Sequence, residues 1–123
     1  MKVLDLPLKK DWYNMIESGI KTEEYREIKP YWEKRLLDYK RIKRYVEDNR
    51  KELFAKRLLF PNRPVIEDAC GSFQRGYTHV RFRYGYTKRT MLREIESITI
   101  GHGNPDWGAP SDRRVFIIKL KPL

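Results

Sequence analysis

Between Tyr77 and Tyr86 the chain alternates with period two. Val80, Phe82, Tyr84 and Tyr86 fall on one side of an extended backbone, and His79, Arg81 and Arg83 on the other. Successive side chains of a strand point to opposite faces, so the segment predicts a strand with an apolar face and a cationic face. Such a strand needs neighbours, and the sequence supplies them. Val115 to Leu120 is apolar on both faces apart from Lys119, as a central strand or barrel stave would be. Thr90 to Ile100 is rich in β-formers, but Leu92, Ile95 and Ile98 share one face only if a bulge shifts the phase. Leu4, Leu6 and Leu8 alternate around Asp5 and Pro7 and predict a short first strand. Most strands follow a helical excursion, so antiparallel closure into a small barrel fits better than alternating βαβ units.

The helical part is marked by a change of period. Leu8, Trp12, Met15 and Ile16 recur at helical spacing, and Gly19 stands where a left-handed residue closes a helix. From Pro30 onward Trp32, Leu36, Tyr39, Ile42, Val46 and Leu53 recur at spacings of three, four and seven, with a permitted break at Glu47–Arg50. Pro61, Pro64 and Gly71 end this region, and the stretch from Gly101 to Pro110 reads as a loop. With 123 residues the chain allows one domain, spanning 1–123, able to bury roughly two thirds of its unfolded surface. The fold class expected is α+β.

Charge narrows the partners. Lys and Arg number 27 against 17 Asp and Glu, a net charge of +10, which disfavours an acidic enzyme surface and favours polyanions. Cys70 is the single cysteine, which excludes an internal disulfide or a cysteine-based zinc cluster; its thiol reads as structural or incidental. His79 and His102 have no carboxylate at metal-ligand spacing, so no metal site and no cofactor are expected. No stretch approaches the ~20 apolar residues of a membrane span, and Met1–Asp5 is too soon acidic for a signal peptide. A cytoplasmic location away from membranes is the expectation.

The segment from Lys21 to Ile28 departs most from ordinary patterning. It is strand-compatible, yet neither alternate set is apolar: Thr22, Glu24, Arg26 and Ile28 on one face, Lys21, Glu23, Tyr25 and Glu27 on the other. A strand without an apolar face gains little from burial, so its charges are solvated, paired, or lining a cavity. Arg26 offers a planar fork for a phosphate or a base edge, and Glu24 accepts hydrogen bonds from an exocyclic amine. Glu24 and Arg26 can equally form an ion pair that closes one mouth of a barrel. Lys21 lies off their strand parity unless the turn at Gly19 resets the phase.

Residues Gly19, Lys21, Glu24 and Arg26 spell G-x-K-x-x-E-x-R, behind a short strand and a Trp-containing helix. In this the chain resembles the ASCH family, whose small β-barrel is related to the PUA RNA-binding fold. The likeness is specific over residues 1–28 and looser over 77–120, and it makes residues 29–76 a long basic helical insertion. The resemblance implies binding of RNA or a nucleotide in a cleft lined by Gly19, Lys21, Glu24 and Arg26. It also implies an alternative, hydrolysis of a modified nucleoside such as acetylcytidine, or of RNA, with Lys21 and Glu24 as the catalytic candidates. Lys21 matches the lysine of the acetylcytidine-cleaving relatives, but Glu24 stands where they carry a threonine, and Thr22 is out of register. A second carboxylate would come from Glu94 or Glu96. A base lysine needs a lowered pKa, for which Arg26 and Arg81 are the candidate neighbours.

Between Asp68 and Glu94 there is no acidic residue, while Arg75, Arg81, Arg83, Lys88, Arg89 and Arg93 interleave with Phe73, Tyr77, Phe82, Tyr84 and Tyr86. Cations beside aromatics suit single-stranded RNA, and Arg81 and Arg83 form the outward basic row. Residues 34–44 carry six cations against one carboxylate, for phosphate contact, for docking on an acidic protein, or simply as a solvated face. Trp107, on its loop, is either a stacking platform or a plug for the barrel end.

Overall fold

A computed structural model describes residues 1–59 and 74–123; Pro61, Pro64, Asp68, Cys70, Gly71 and Phe73 lie outside the described residues. The elements in order are β1 (Val3–Leu8), α1 (Lys10–Glu17), β2 (Glu23–Arg26), α2 (Pro30–Leu36), α3 (Tyr39–Asp48), α4 (Arg50–Leu59), β3 (His79–Tyr84), β4 (Thr90–Gly101), a 3₁₀ turn (Pro105–Trp107) and β5 (Val115–Leu120). Five strands form a single curled, half-barrel sheet in the order β1-β3-β4-β5-β2, making a small α+β protein.

Alternation drives the core. Leu4, Leu6 and Leu8 of β1 are buried, as are Val80 and Phe82 of β3 and Phe116, Ile118 and Leu120 of β5. The expectation of wholly antiparallel pairing is corrected at one point: β1 runs parallel to β3, with Val3 opposite His79 and Leu8 opposite Tyr84. A parallel pair needs a long crossover, and the chain between Leu8 and His79, which carries β2 and every α-helix, provides it. The remaining pairs are antiparallel.

The 12-residue β4 belongs to both halves of the sheet. Its first part pairs with β3, its second with β5, and the register shifts between Ile95 and Ser97. The bulge anticipated from the phase slip sits there, and a bulge bends a strand and raises its twist, which lets the sheet curl. Ile95 and Ile98 are inside, but Leu92 is not. Before the bulge the inward positions are odd-numbered, so Arg93 goes in and Leu92 faces out, 46% exposed. Arg93 donates to the carbonyls of Ile16 and Lys121, and burial lowers its pKa.

Two further expectations shift by a few positions. Tyr86 is fully exposed, because the strand ends at Tyr84 and Gly85 turns the chain at φ +57°. On α1 the core residues are Tyr13 and Ile16, while Trp12 and Met15 are half-buried. The rotation lets the Tyr13 ring meet Tyr84 edge-on at 5.1 Å and turns Trp12 toward the Lys21 ammonium. The helical region divides into three short helices. Asp38 breaks it by accepting a hydrogen bond from the Arg41 amide, and Leu37 pairs with Gln74. Leu36, Leu37 and Ile42 join the buried cluster of the sheet, and Leu53 of α4 is buried as well. Among the described residues no helix is long and apolar enough to cross a membrane, and no group of His, Cys, Asp or Glu is placed to hold a metal ion.

Candidate ligand-binding site

The site begins with how α1 ends. Gly19, at φ +84°, donates to the Ile16 carbonyl, and the Lys21 amide donates to the Met15 carbonyl. This left-handed closure places Lys21 before β2 begins at Glu23, so strand parity does not govern it. Its side chain turns inward and is fully buried. There Nζ lies 3.2 Å from Glu24 Oε1 and donates to the Trp107 carbonyl at 2.6 Å. The rings of Tyr25 and Trp12 face it with centroids at 4.8 and 5.1 Å. Burial lowers the Lys21 pKa, Glu24 opposes that shift, and Arg26 adds to it. Arg81, the other candidate for this effect, is elsewhere.

Glu24 is nearly buried and holds a second cation. Arg26 Nη1 hydrogen-bonds Glu24 Oε2 and also donates to the Tyr25 carbonyl at 2.9 Å. Arg26 Nη2 reaches across to the Pro7 carbonyl of β1 at 3.2 Å. Arg35 of α2 does the same two residues earlier, donating to the Asp5 carbonyl at 3.1 Å. Both guanidinium groups lie over the Trp32 ring, at 5.1 and 5.5 Å. The outer edge of β1 therefore meets two arginines and a tryptophan where a closed barrel would have another strand. The Glu24–Arg26 pair is formed, and it fastens this seam.

The seam opens into a pocket of about 350 Å³. Its walls include Pro7, Trp12, Glu24, Arg26, Trp32 and Trp107. All three tryptophans of the chain thus meet around one carboxylate and one guanidinium. Trp107 is half-buried on its 3₁₀ turn, held by an Asn104 side chain that accepts from the Asp106 amide. Gly108 follows at φ +98°, where an added Cβ would come within 3.0 Å of the Trp12 ring.

Tyr25 fixes the loop to the sheet. Its hydroxyl donates to Glu23 and accepts from the Asn104 amide, and burial raises its pKa. Gly103 is required here by space: a Cβ would sit 2.5 Å from the Tyr25 ring and 2.6 Å from the Ala109 Cβ. Gly103→Ala should therefore cost about 1–3 kcal/mol by overpacking. The urea midpoint should fall at unchanged slope, while an unshifted midpoint would show that the loop yields freely.

Other candidates from the sequence fall outside the pocket. Arg81 lies on the outer face, paired with Asp5 at 3.2 Å, and Arg83 is exposed on that same face. Thr22 is exposed, and Glu94 and Glu96 pair on the surface with Lys121 and Lys119. None of the three carries chemistry to Lys21. Trp12 and Trp32 are the residues that sequence reasoning missed as pocket walls, because helical spacing assigned them to packing. Compared with family models, curated proteins and solved structures, the chain finds no match.

Proposed function

We propose that the chain is an RNA- or nucleotide-binding domain of the PUA-like ASCH type, and that the tryptophan-lined pocket takes a nucleobase. The observation that carries this reading is the convergence of three indole rings on Glu24 and Arg26 in one pocket. Its volume is in the range of small-ligand sites, and aromatic walls with a few polar groups suit a flat heterocycle. Glu24 has both oxygens engaged, yet each carboxylate oxygen retains a second lone pair for an exocyclic amine. The net charge of +10 and the exposed Arg83 supply sequence-independent attraction to phosphates, and the helices within 29–76 act as a basic insertion on the same account.

Titration with a nucleoside panel that includes acetylcytidine, and with short single-stranded RNA, tests the reading. Tryptophan emission should change saturably, and Trp12→Ala or Trp107→Ala should weaken nucleoside binding about tenfold, within the range for loss of one stacking partner. If about five phosphates are neutralised on a strand, the log–log salt slope should be near −3.5. Strand binding indifferent to both tryptophan variants would remove the pocket from the reading.

A hydrolase is the second reading, favoured by one observation: a carboxylate stands at the pocket beside a buried lysine of lowered pKa. Against it, Lys21 donates to two acceptors and is held there as the ammonium, which accepts no proton.

A further inference from the structure

A second cleft of about 510 Å³ adjoins the tryptophan pocket and shares walls with it, among them Lys9, Tyr25, Arg26 and Trp32. Its own character is different. Lys29 and Arg113 line this cleft and not the first, and with Lys9 they set three cations against one carboxylate, Glu27, among the described residues. Glu27 is a loose partner: it lies 3.9 Å from Lys29, and both side chains are more than half exposed. Among the described residues neither Lys9 nor Arg113 has an ion-pair partner. Arg26 already serves three acceptors and contributes mainly a wall.

We infer that the cleft lined by Lys9, Lys29 and Arg113 is a phosphate subsite, so the ligand is a nucleotide whose base enters the tryptophan pocket and whose phosphate lies beside it. The inference rests on the nucleobase reading above. A free nucleoside would leave the cationic cleft empty, whereas a phosphate group matches it in charge. The planar fork of Arg113 suits phosphate oxygens, and Lys9 and Lys29 act as mobile point charges. The base is recognised by aromatic surface and the phosphate by cations, with the Tyr25 and Trp32 walls between them.

The four common nucleosides, their 5′- and 3′-monophosphates and ribose 5-phosphate serve as probes, followed by tryptophan emission and calorimetry. The full chain is compared with the Lys29→Ala, Arg113→Ala double variant, whose two sites are exposed and outside the first pocket. In the unsubstituted protein a monophosphate should bind about tenfold more tightly than its nucleoside at low salt. The double variant should lose that gain and keep its nucleoside affinity. Equal affinities for nucleoside and monophosphate, or a phosphate gain that survives the double variant, would overturn the subsite and leave the base pocket standing. Binding of ribose 5-phosphate that depends on Lys29 and Arg113, with no response to any base, would uphold the subsite and remove the base reading. A short RNA weakened tenfold by the double variant identifies the phosphate as part of a strand; one left unaffected while the monophosphate weakens identifies a free nucleotide.

Discussion

Glu24→Leu should destabilise the protein by about 3–5 kcal/mol, and Lys21→Met by clearly less, because removing one partner of a buried pair strands the other charge. The asymmetry comes from the geometry. Without Lys21, Glu24 keeps the Arg26 guanidinium on its second oxygen; without Glu24, Lys21 keeps only the Trp107 carbonyl and two ring faces. The loss should also depend on pH in a set direction. The Lys21 pKa in the folded protein lies below its ordinary 10.5, chiefly through burial. Between those two values the unfolded chain binds the extra proton, so this group makes stability rise with pH. Removing Glu24 takes away what opposes the shift, lowers the folded pKa further and widens that window. The deficit of Glu24→Leu should therefore shrink as pH is raised from neutrality. Tyr25, raised by burial from 10.0, acts in the opposite sense above that pH, so urea midpoints are compared below it. A deficit that stays constant with pH, or a larger cost for Lys21→Met, would show that the pair is not coupled as its distances imply.

Incubated with acetylcytidine, the protein should show weak turnover or none. Any turnover should fall by about 10²–10⁴-fold in Glu24→Gln and be untouched by Thr22→Ala. Lys21 is held as the ammonium by the Glu24 carboxylate and the Trp107 carbonyl, which leaves Glu24 as the group able to take a proton from water. Thr22 is exposed, and its backbone carbonyl accepts from the Leu120 amide, which holds it in the β2–β5 pairing. Turnover that survives Glu24→Gln and is abolished by Thr22→Ala would reverse these roles. The same Glu24→Gln protein carries a spectroscopic counterpart: the Lys21 ammonium should titrate at lower pH than in the unsubstituted chain, as read from its Nζ resonance.

What was legible in the sequence was what period and local turn chemistry decide. Alternation put Leu4, Leu6 and Leu8, then Val80 and Phe82, on buried faces, and the phase slip in β4 marked its bulge. A strand with no apolar face had to pair its charges or line a cavity, and β2 does both through Glu24 and Arg26. These are properties of neighbours along the chain, fixed by the two-residue repeat of a strand and the 3.6-residue repeat of a helix.

Only the tertiary structure decided how distant segments meet. The parallel pairing of β1 with β3 depends on where a crossover of some 70 residues returns, and no local pattern states that. Strand parity left the side of Lys21 open, and the turn at Gly19 sets its direction before β2 starts. Helical spacing placed Trp12 and Trp32 in packing roles, yet the seam between β1 and β2 brings both to Trp107, about 95 and 75 residues away along the chain. Side-chain identity alone determined that the charges of β2 needed partners. Which partners they found, and that three indoles would surround them, was set by the closure of a curled sheet whose edges are joined by arginines, because contacts between remote segments are fixed by the global packing minimum and not by local repeat.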